Sequence, residues 1–474
     1  MDKTISKKVI LNTLDLFQNQ FGWITDEDQK AIFMDEFLTL KDFEDNEFTV
    51  RTEIKDELWK TDGRIRYSTI ITSAHDDYIN YDINTEVDYF VFLNKKCDQA
   101  FICKREDLVF MKKERMDGMK KINVMAAVNP LGYGVAGLNI LKELDKIADV
   151  TLFPIGQPQP TTQEDADLVG RLHNKQSDFD PSAPCVKIWH EHSLAERIGR
   201  GKYYGFPIFE LNKFDQRRLK NLECCDEVIT CSKWARDIVL EQTERPENQV
   251  HVVPLGVDRN VFNEEKNNVS GTQFVIFNCG KWEVRKGHDI LFRAFKMAFP
   301  DDVRDVKLFM MCSNPFPQAQ QQSQQFENMY ASDIRVKLVP RVNTSEEVAQ
   351  IMGQVDCGVF PARGEGWNLE LLEMMSMGKP VIATAYSGHT EFCNALNCSL
   401  VDIEKTEPAF DGVWFDGKVG EWASIGQNQV KQLADHMSRA YEMWKKEPIT
   451  NPAGIDTAKE FTWENSAKKL LGVL

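Results

Sequence analysis

Two carboxylates, Glu365 and Glu373, stand eight residues apart in FPARGEGWNLELLEMMSMGKPVIATAYSGHTE, residues 360–391. Upstream, Lys281, Arg285 and Lys286 follow the apolar run FVIFNC of residues 274–279 and its closing Gly280. Three cations on one strand-to-helix loop can hold a diphosphate through charge-assisted hydrogen bonds. The competing reading is a solvated basic loop, the usual fate of such a cluster. A helix opening from a strand presents free N–H groups and the positive end of its dipole, which suits a phosphate. A carboxylate on the same loop repels phosphate but accepts hydrogen bonds from sugar hydroxyls. His190 and His192 follow the run VKIW, and His190 is the first residue past it. A histidine there can serve a reacting centre or be a surface residue satisfied by a neighbour. Gly132, Gly134 and Gly137 let backbone approach a ligand, and their spacing fits the letters GxGxxG of dinucleotide sites. That raises a nicotinamide enzyme as a rival. No acidic residue closes the next strand, where a ribose ligand belongs.

These residues need particular elements beneath them. The pattern predicts buried strands at 357–360 and 381–383. Between them it predicts a helix from Asn368 to Met377, stopped by Gly378 and Pro380. Glu365 then lies on the loop at the helix mouth and Glu373 within the helix. A strand at 274–279 leads through the cationic loop into a helix covering 289–295. Further strands are predicted at 122–128, 150–153, 186–189 and 227–231. The loop 129–137 leads into a helix through 138–147. Strand and helix alternate on both sides of residue 256, which argues for two doubly wound α/β domains. Residues 318–325 read as a polar loop or helix start, 404–426 as irregular, and 428–446 as a helix. Residues 1–118 form a separate unit. It has helical patterning over 11–37, strands at 48–52, 65–71, 87–93 and 99–103, and a hairpin turn at 94–98. Residues 112–121 read as a charged linker.

A chain of 474 residues is long enough for two or three domains with full cores. Its 42% hydrophobic and 27% charged residues are ordinary for a soluble globular protein. A net charge of −16 argues against a broad nucleic-acid face, though not against a local basic patch. The N-terminus lacks a signal-peptide core, and no run approaches a membrane span. The eleven cysteines show no framework spacing, which fits buried free thiols in a cytoplasmic protein. Asp165-x-Asp167 and Asp178-x-Asp180 carry the DxD letters of a metal site, but neither closes an apolar strand, so they read as solvated carboxylates. No His, Cys and Asp set has convincing metal spacing.

Taken together, the motifs resemble the retaining glycosyltransferases of family 4, which have the GT-B fold. GKWEVRKGHDILFRAF is similar to that family's phosphate-binding segment. EGWNLELLE matches its Glu-x7-Glu motif, and MGKPVIAT the segment after it. HVVPLGVDRNVF resembles its interdomain segment and FTWENSAKKLL its closing helix. The matches cover residues 120–474 and are densest over 250–395. The resemblance implies two Rossmann-like domains facing a cleft, an acceptor-side domain over 119–257 and a donor domain over 258–455. A closing helix over 456–474 returns toward the first of these, and the small α+β unit of 1–118 has no assigned role. It implies transfer of a sugar from a nucleotide-diphosphate sugar with retention of configuration, with no cofactor and no metal.

Residue by residue, the resemblance has Lys281 and Lys286 hold the diphosphate, with Arg285 assisting beside Gly280. It has Glu373 bind the donor ribose and Glu365 face the transferred sugar. Backbone N–H groups around Gly366, Trp367, Asn368 and Leu369 cap a phosphate oxygen or sugar hydroxyl. Gly134 faces the cleft, and His190 stands near the reacting sugar. Lys281 replaces a frequent Arg and Asn368 a usual Gly, so donor identity does not carry over. The acceptor is a glycan, a lipid or another small molecule. The basic residues Arg197, Arg200, Lys202, Lys213, Arg217, Arg218 and Lys220 leave peripheral contact with anionic lipid open. In so acidic a chain they read first as a solvated face. An epimerase or phosphorylase of the same fold, or a nucleotide-sugar-binding protein without turnover, are the alternatives.

Overall fold

The computed structural model describes residues 119–267 and 271–474, together with the strands at 37–41, 47–54, 89–93 and 100–104. The chain divides into two compact units between Met119 and Lys120. In the first, β1 (Phe37–Lys41) pairs antiparallel with β2 (Glu47–Ile54). β2 runs parallel to β3 (Tyr89–Leu93), which pairs antiparallel with β4 (Ala100–Lys104). The expected turn at 94–98, the strand at 65–71, the linker up to residue 118 and the helical patterning before Phe37 lie outside the described residues.

The second unit holds two six-stranded sheets, both parallel throughout. The first has the order β10-β9-β8-β7-β5-β6. Its strands are β5 (Lys121–Ala126), β6 (Asp149–Pro154), β7 (Cys185–Ile188), β8 (Tyr203–Phe206), β9 (Glu227–Thr230) and β10 (Val250–Val252). The second has the order β13-β12-β11-β14-β15-β16. It is built from β11 (Phe274–Gly280), β12 (Val306–Cys312), β13 (Val336–Leu338), β14 (Cys357–Phe360), β15 (Val381–Thr384) and β16 (Ser399–Val401). β7 and β14 are buried at every position, as parallel strands covered by helices on both faces must be.

This order decides where the chemistry can sit. In the first sheet the chain steps from β5 out to β6, then returns to β7 on the other side of β5. In the second it steps from β11 outward to β13, then returns to β14 on the other side of β11. Each return is a topological switch point, where loops at the strands' carboxyl ends diverge and leave a crevice. The loops after β11 and β14 are the two that carry the cations and Glu365. Those after β5 and β7 carry the glycines and His190.

Three elements differ from the sequence reading. The helix α1 (Gly132–Ile147) begins six residues before Leu138, so the glycines form its first turns rather than a loop. Asp165 and Asp167 stand on α2 (Gln163–Asn174), and Asp165 is buried and ion-paired with Lys142 at 2.5 Å. Residues 404–426 are not irregular: β17 (Thr406–Phe410) and β18 (Asp416–Ala423) form an antiparallel hairpin with a bulge between Pro408 and Phe410. Charged and glycine residues at its exposed positions hide the alternation. The last helix, α3 (Trp463–Val473), packs against α1, and the Tyr204 hydroxyl donates to the Val473 carbonyl at 3.3 Å. The chain therefore crosses between the halves twice, and the Val257 N–H bonds to the Phe461 carbonyl at 3.0 Å. Among the described residues no helix is long and apolar enough to cross a membrane. The cysteines from Cys185 to Cys398 are all unpaired, and all but Cys224 are buried.

Candidate active site

The loop after β11 is built around Gly287. Its φ is +74°, and a Cβ there would lie 2.0 Å from the Pro361 carbonyl oxygen, so only glycine fits. Gly287 also precedes α4 (His288–Ala298), whose N-terminus no side chain caps. The loops after β11 and β14 are bonded together. The Arg363 N–H donates to the Arg285 carbonyl at 2.7 Å, and its guanidinium makes a fork to Asp289 with both bonds at 2.8 Å. Beneath them the Glu283 N–H donates to His288 Nδ1 at 3.2 Å, and His288 Nε2 faces Asn278 Oδ1 at 3.2 Å. Burial, with help from the Lys286 charge, lowers the His288 pKa to about 3, so the ring is neutral. No sequence signal distinguished His288, whose role depends on strand β11 passing under it.

The cations meet here, each against carboxylates. Lys281 Nζ lies 2.8 Å from Glu283 and is the most open, with its side chain 35% exposed. Lys286 Nζ lies 2.9 Å from Glu365 and 3.6 Å from Glu370. Gly280 leaves the space for it, since Lys286 Cε would stand 3.2 Å from any Cβ there. Arg285 is buried: it bonds Glu365 at 2.9 Å, Glu283 at 2.8 Å and the Gly364 carbonyl at 2.7 Å. Its guanidinium is thus turned to the protein. Burial alone would raise the Glu365 carboxyl, but Arg285 and Lys286 outweigh it and bring it down to about 2. Glu365 is held from behind as well, its N–H donating to Ser387 Oγ at 2.8 Å.

Past β14, Gly366, Trp367 and Asn368 lead into α5 (Leu369–Ser376), the second uncapped helix N-terminus at this switch point. Asn368 precedes the helix at φ 78° and ψ 72°, a left-handed conformation that Asn tolerates better than most residues. Its amide is buried with neither nitrogen nor oxygen bonded, and Trp367 Nε1 is likewise unbonded. Glu373 lies one turn in, half-buried, and has no hydrogen bond or ion pair among the described residues. Burial, then the neighbouring Glu370, pushes its carboxyl up to about 8.

The first half supplies the facing wall. Gly134 packs on the backbone of Asn129 in the first turn of α1. His190 is half-buried, 4.5 Å from the Tyr133 ring and 5.1 Å from the His192 ring between centroids. Burial is the main cause that lowers its pKa to about 4, and Lys281 from the opposite half adds to it. His190 is therefore neutral and close enough to feel the cationic loop after β11. His192 is also half-buried, with Nδ1 3.8 Å from Glu191.

Ligand atoms of His190, Glu191 and His192 lie within 4.8 Å of one another, the one metal-like group among the described residues. One oxygen of Glu191 already accepts from Arg218 Nε at 2.7 Å, so a cation at this group would share the carboxylate with a guanidinium. The sequence reading missed Glu283, Glu370, Glu191 and Glu210. Glu283, two positions from both Lys281 and Arg285, and Glu370, one helical turn before Glu373, had a spacing that signalled them.

With this geometry in view, the comparisons with known proteins are specific. Residues 273–410, which carry the loops after β11 and β14, match the family model described as glycosyl transferases group 1. The shared architecture is GT-B. Structures of Anabaena HepE, in complex with UDP and glucose and with UDP-glucose, superpose on 75% of this chain and on 98% and 100% of theirs. The TM-score is 0.54 for both, at 15% and 17% identity. Sucrose-phosphate synthase from Thermosynechococcus elongatus matches equally in TM-score, at 15% identity over 74% of this chain and 98% of its own. In sequence, an uncharacterized glycosyltransferase, MJ1607, of Methanocaldococcus jannaschii is 26% identical over 54% of this chain. The lipopolysaccharide glucosyltransferase WaaG of Escherichia coli is 24% identical over 46%. The chain spans only 61% and 58% of the lengths of these two relatives.

Proposed function

We propose that this chain is a glycosyltransferase that moves a sugar from a nucleotide-diphosphate sugar to an acceptor, with retention of anomeric configuration and without a catalytic metal. The observation that carries the reading is convergence: Lys281, Lys286 and two uncapped helix N-termini meet at one switch point beside the unpartnered Glu373. The diphosphate would lie across Lys281 and Lys286, and the ribose hydroxyls would bond Glu373. As the glycosidic bond breaks, charge builds on the departing phosphate and the anomeric carbon becomes oxocarbenium-like. Cations and helix N–H groups aimed at that phosphate favour this state over the ground state. Neutral His190 would meet the transferred sugar from the facing wall. The two halves touch at Gly366, where Ile208 leaves no room for a Cβ, and further closure on a bound donor would keep water from the reacting centre. Buried thiols fit a reducing cytoplasm.

The test is a thermal-shift panel of UDP, GDP and ADP with their sugar conjugates, UDP-glucose first because HepE holds it. A ligand selective for the folded state raises the melting temperature by mass action. Stabilisation by one nucleoside diphosphate family, followed by transfer unaffected by chelator and a product of retained anomeric configuration, supports the reading. Absence of any stabilisation overturns it. A sugar altered with donor alone, and no acceptor, makes the protein an epimerase.

A further inference from the structure

Glu365, the carboxylate that the family resemblance turns toward the transferred sugar, is occupied. Arg285 holds one oxygen at 2.9 Å and Lys286 the other at 2.9 Å, and the side chain is 7% exposed. The open carboxylate beside it belongs to the other half. Glu210 lies on the segment between β8 and the helix Gln216–Glu223, which runs along the cleft against residues 364–366. The Glu210 carbonyl oxygen would be 2.7 Å from a Cβ on Gly364, and the Ile208 side chain 2.5 Å from one on Gly366.

The segment is fixed at both ends. At one, the Tyr133 hydroxyl donates to the Ile208 carbonyl at 2.5 Å and accepts the Ile208 N–H at 3.1 Å. At the other, Asn212 Oδ1 accepts the Glu421 N–H at 2.8 Å, and Leu211 packs on Ala409 and Trp422 of the hairpin. The backbone therefore aims Glu210 at the donor-side loops without help from its own carboxylate.

That carboxylate has no hydrogen bond among the described residues. Its nearest cation is Arg285 Nη2 at 3.9 Å, which already bonds Glu283 at 2.8 Å, and the Glu210 side chain is 32% exposed. Burial holds its carboxyl above the usual range, with Glu191 and Glu365 adding to burial and Arg285 and Lys281 opposing it. A group so surrounded yet still open to solvent lines a cleft. A carboxylate repels phosphate and accepts readily from hydroxyls, whose O–H is a neutral donor.

We infer that Glu210 is the ligand the first half offers to a hydroxyl of the transferred sugar, and so a specificity-determining residue for the donor. The inference rests on reading the cleft as a nucleotide-sugar site. With Glu365 held behind cations, a sugar beside residues 364–366 meets Glu210 from the facing wall. Binding of the sugar, as distinct from the nucleotide, then adds one more contact between the two halves.

The experiment is calorimetry on wild type, Glu210→Gln and Glu210→Ala with UDP, GDP and ADP and with their glucose, galactose, mannose and N-acetylglucosamine conjugates. The quantity read is the affinity of a conjugate relative to its own diphosphate. We expect both variants to keep or improve affinity for the bare diphosphate, because a nearby negative charge is gone. The preferred conjugate should lose on the order of tenfold relative to it, the scale of a hydrogen bond to a charged group. Glu210→Gln guards against a folding defect in the alanine variant. Equal losses for conjugate and diphosphate would mark a structural role and overturn the inference, as would an unchanged ratio or a wild type that does not distinguish the two. A wild type that binds no diphosphate sinks the donor-site reading itself, an outcome separate from these.

Discussion

Replacing Glu373 by Gln should make the ligand-free protein more resistant to alkaline pH. The Glu373 carboxyl sits near 8, against an ordinary 4.5, because burial and Glu370 both disfavour its charge and nothing pairs with it. Below pH 4.5 the group is protonated in folded and unfolded chains alike, and it takes nothing from stability. Between 4.5 and 8 the unfolded chain loses the proton and the folded one keeps it. The native state then binds more protons than the unfolded state, and stability falls as pH rises. At about 1.4 kcal/mol per pH unit the fall has a ceiling of roughly 5 kcal/mol, reached only if the site stays dry. A neutral Gln of the same shape removes the effect. Urea unfolding of both proteins at pH 5, 6, 7, 8 and 9 measures it. The curves should nearly meet at pH 5 and separate by a few kcal/mol by pH 8, with Gln the more stable. Glu370→Gln should shrink the wild-type fall by removing the second cause. Parallel wild-type and Glu373→Gln curves across this range would falsify the account of the site's electrostatics.

Lys286→Met keeps the volume and removes the charge, so turnover should drop by about 10²-fold or more, as for loss of a transition-state charge donor; a folded variant with wild-type turnover removes the phosphate role. Glu365→Gln weakens the hold on Arg285 and Lys286. It should lower the melting temperature while sparing nucleoside diphosphate affinity, which calorimetry reads directly, whereas Glu373→Ala should weaken diphosphate and donor together. Asn368→Gly relieves a left-handed backbone and deletes an unbonded buried amide, so stability should rise by about 1 kcal/mol, and a lower unfolding midpoint would show that the Asn side chain is satisfied by some group in solution. A chain shortened to begin at Gly118 should fold and bind donor, since residues 120–474 are compact by themselves; lost donor affinity in a well-folded shortened protein would place part of the site in the N-terminal unit.

What the sequence made legible was local and repetitive. The buried strands announced themselves as apolar runs, Gly280 and Gly287 marked the loop after one of them, and Gly378 marked the end of a helix. The residues of the candidate site that could be read in advance lie on loops adjoining those strands or in the first turns of the helices that follow them. The ones missed act through space. Arg285 looked like a third phosphate ligand because its neighbours in sequence are cations. It turns inward because Glu365, eighty residues later, is brought beside it by the return from β13 to β14. Glu210 stands on FPIFELNKF, residues 206–214, a largely apolar stretch that carries no motif, and only the meeting of the halves sets its carboxylate against the cationic loop. The hairpin at 406–423 was hidden for another reason: one face is exposed, and Ala409 and Trp422 bury themselves against Leu211 of the other half rather than in either sheet.

On the proposed reading, the same geometry accounts for how a chain of charge −16 would hold an anion. Two cations largely removed from water with no partners would cost several kcal/mol each, so a ligand-free cleft must neutralise them. Glu283, Glu365 and Glu370 do this for Lys281, Arg285 and Lys286, and they do it unequally. Arg285 is bound on both sides and stays with the protein. Lys281, 35% exposed, and Lys286, held by carboxylates alone, would on that reading turn from a carboxylate to a phosphate. An arriving diphosphate therefore gains less in binding than bare cations would give it, since it competes with carboxylates already in place. As the leaving phosphate gains charge, that competition shifts in its favour, and the cations are worth more to the transition state than to the bound donor. Carboxylates beside the phosphate loop are on this view part of the catalytic design, because they hold back binding energy until the glycosidic bond begins to break.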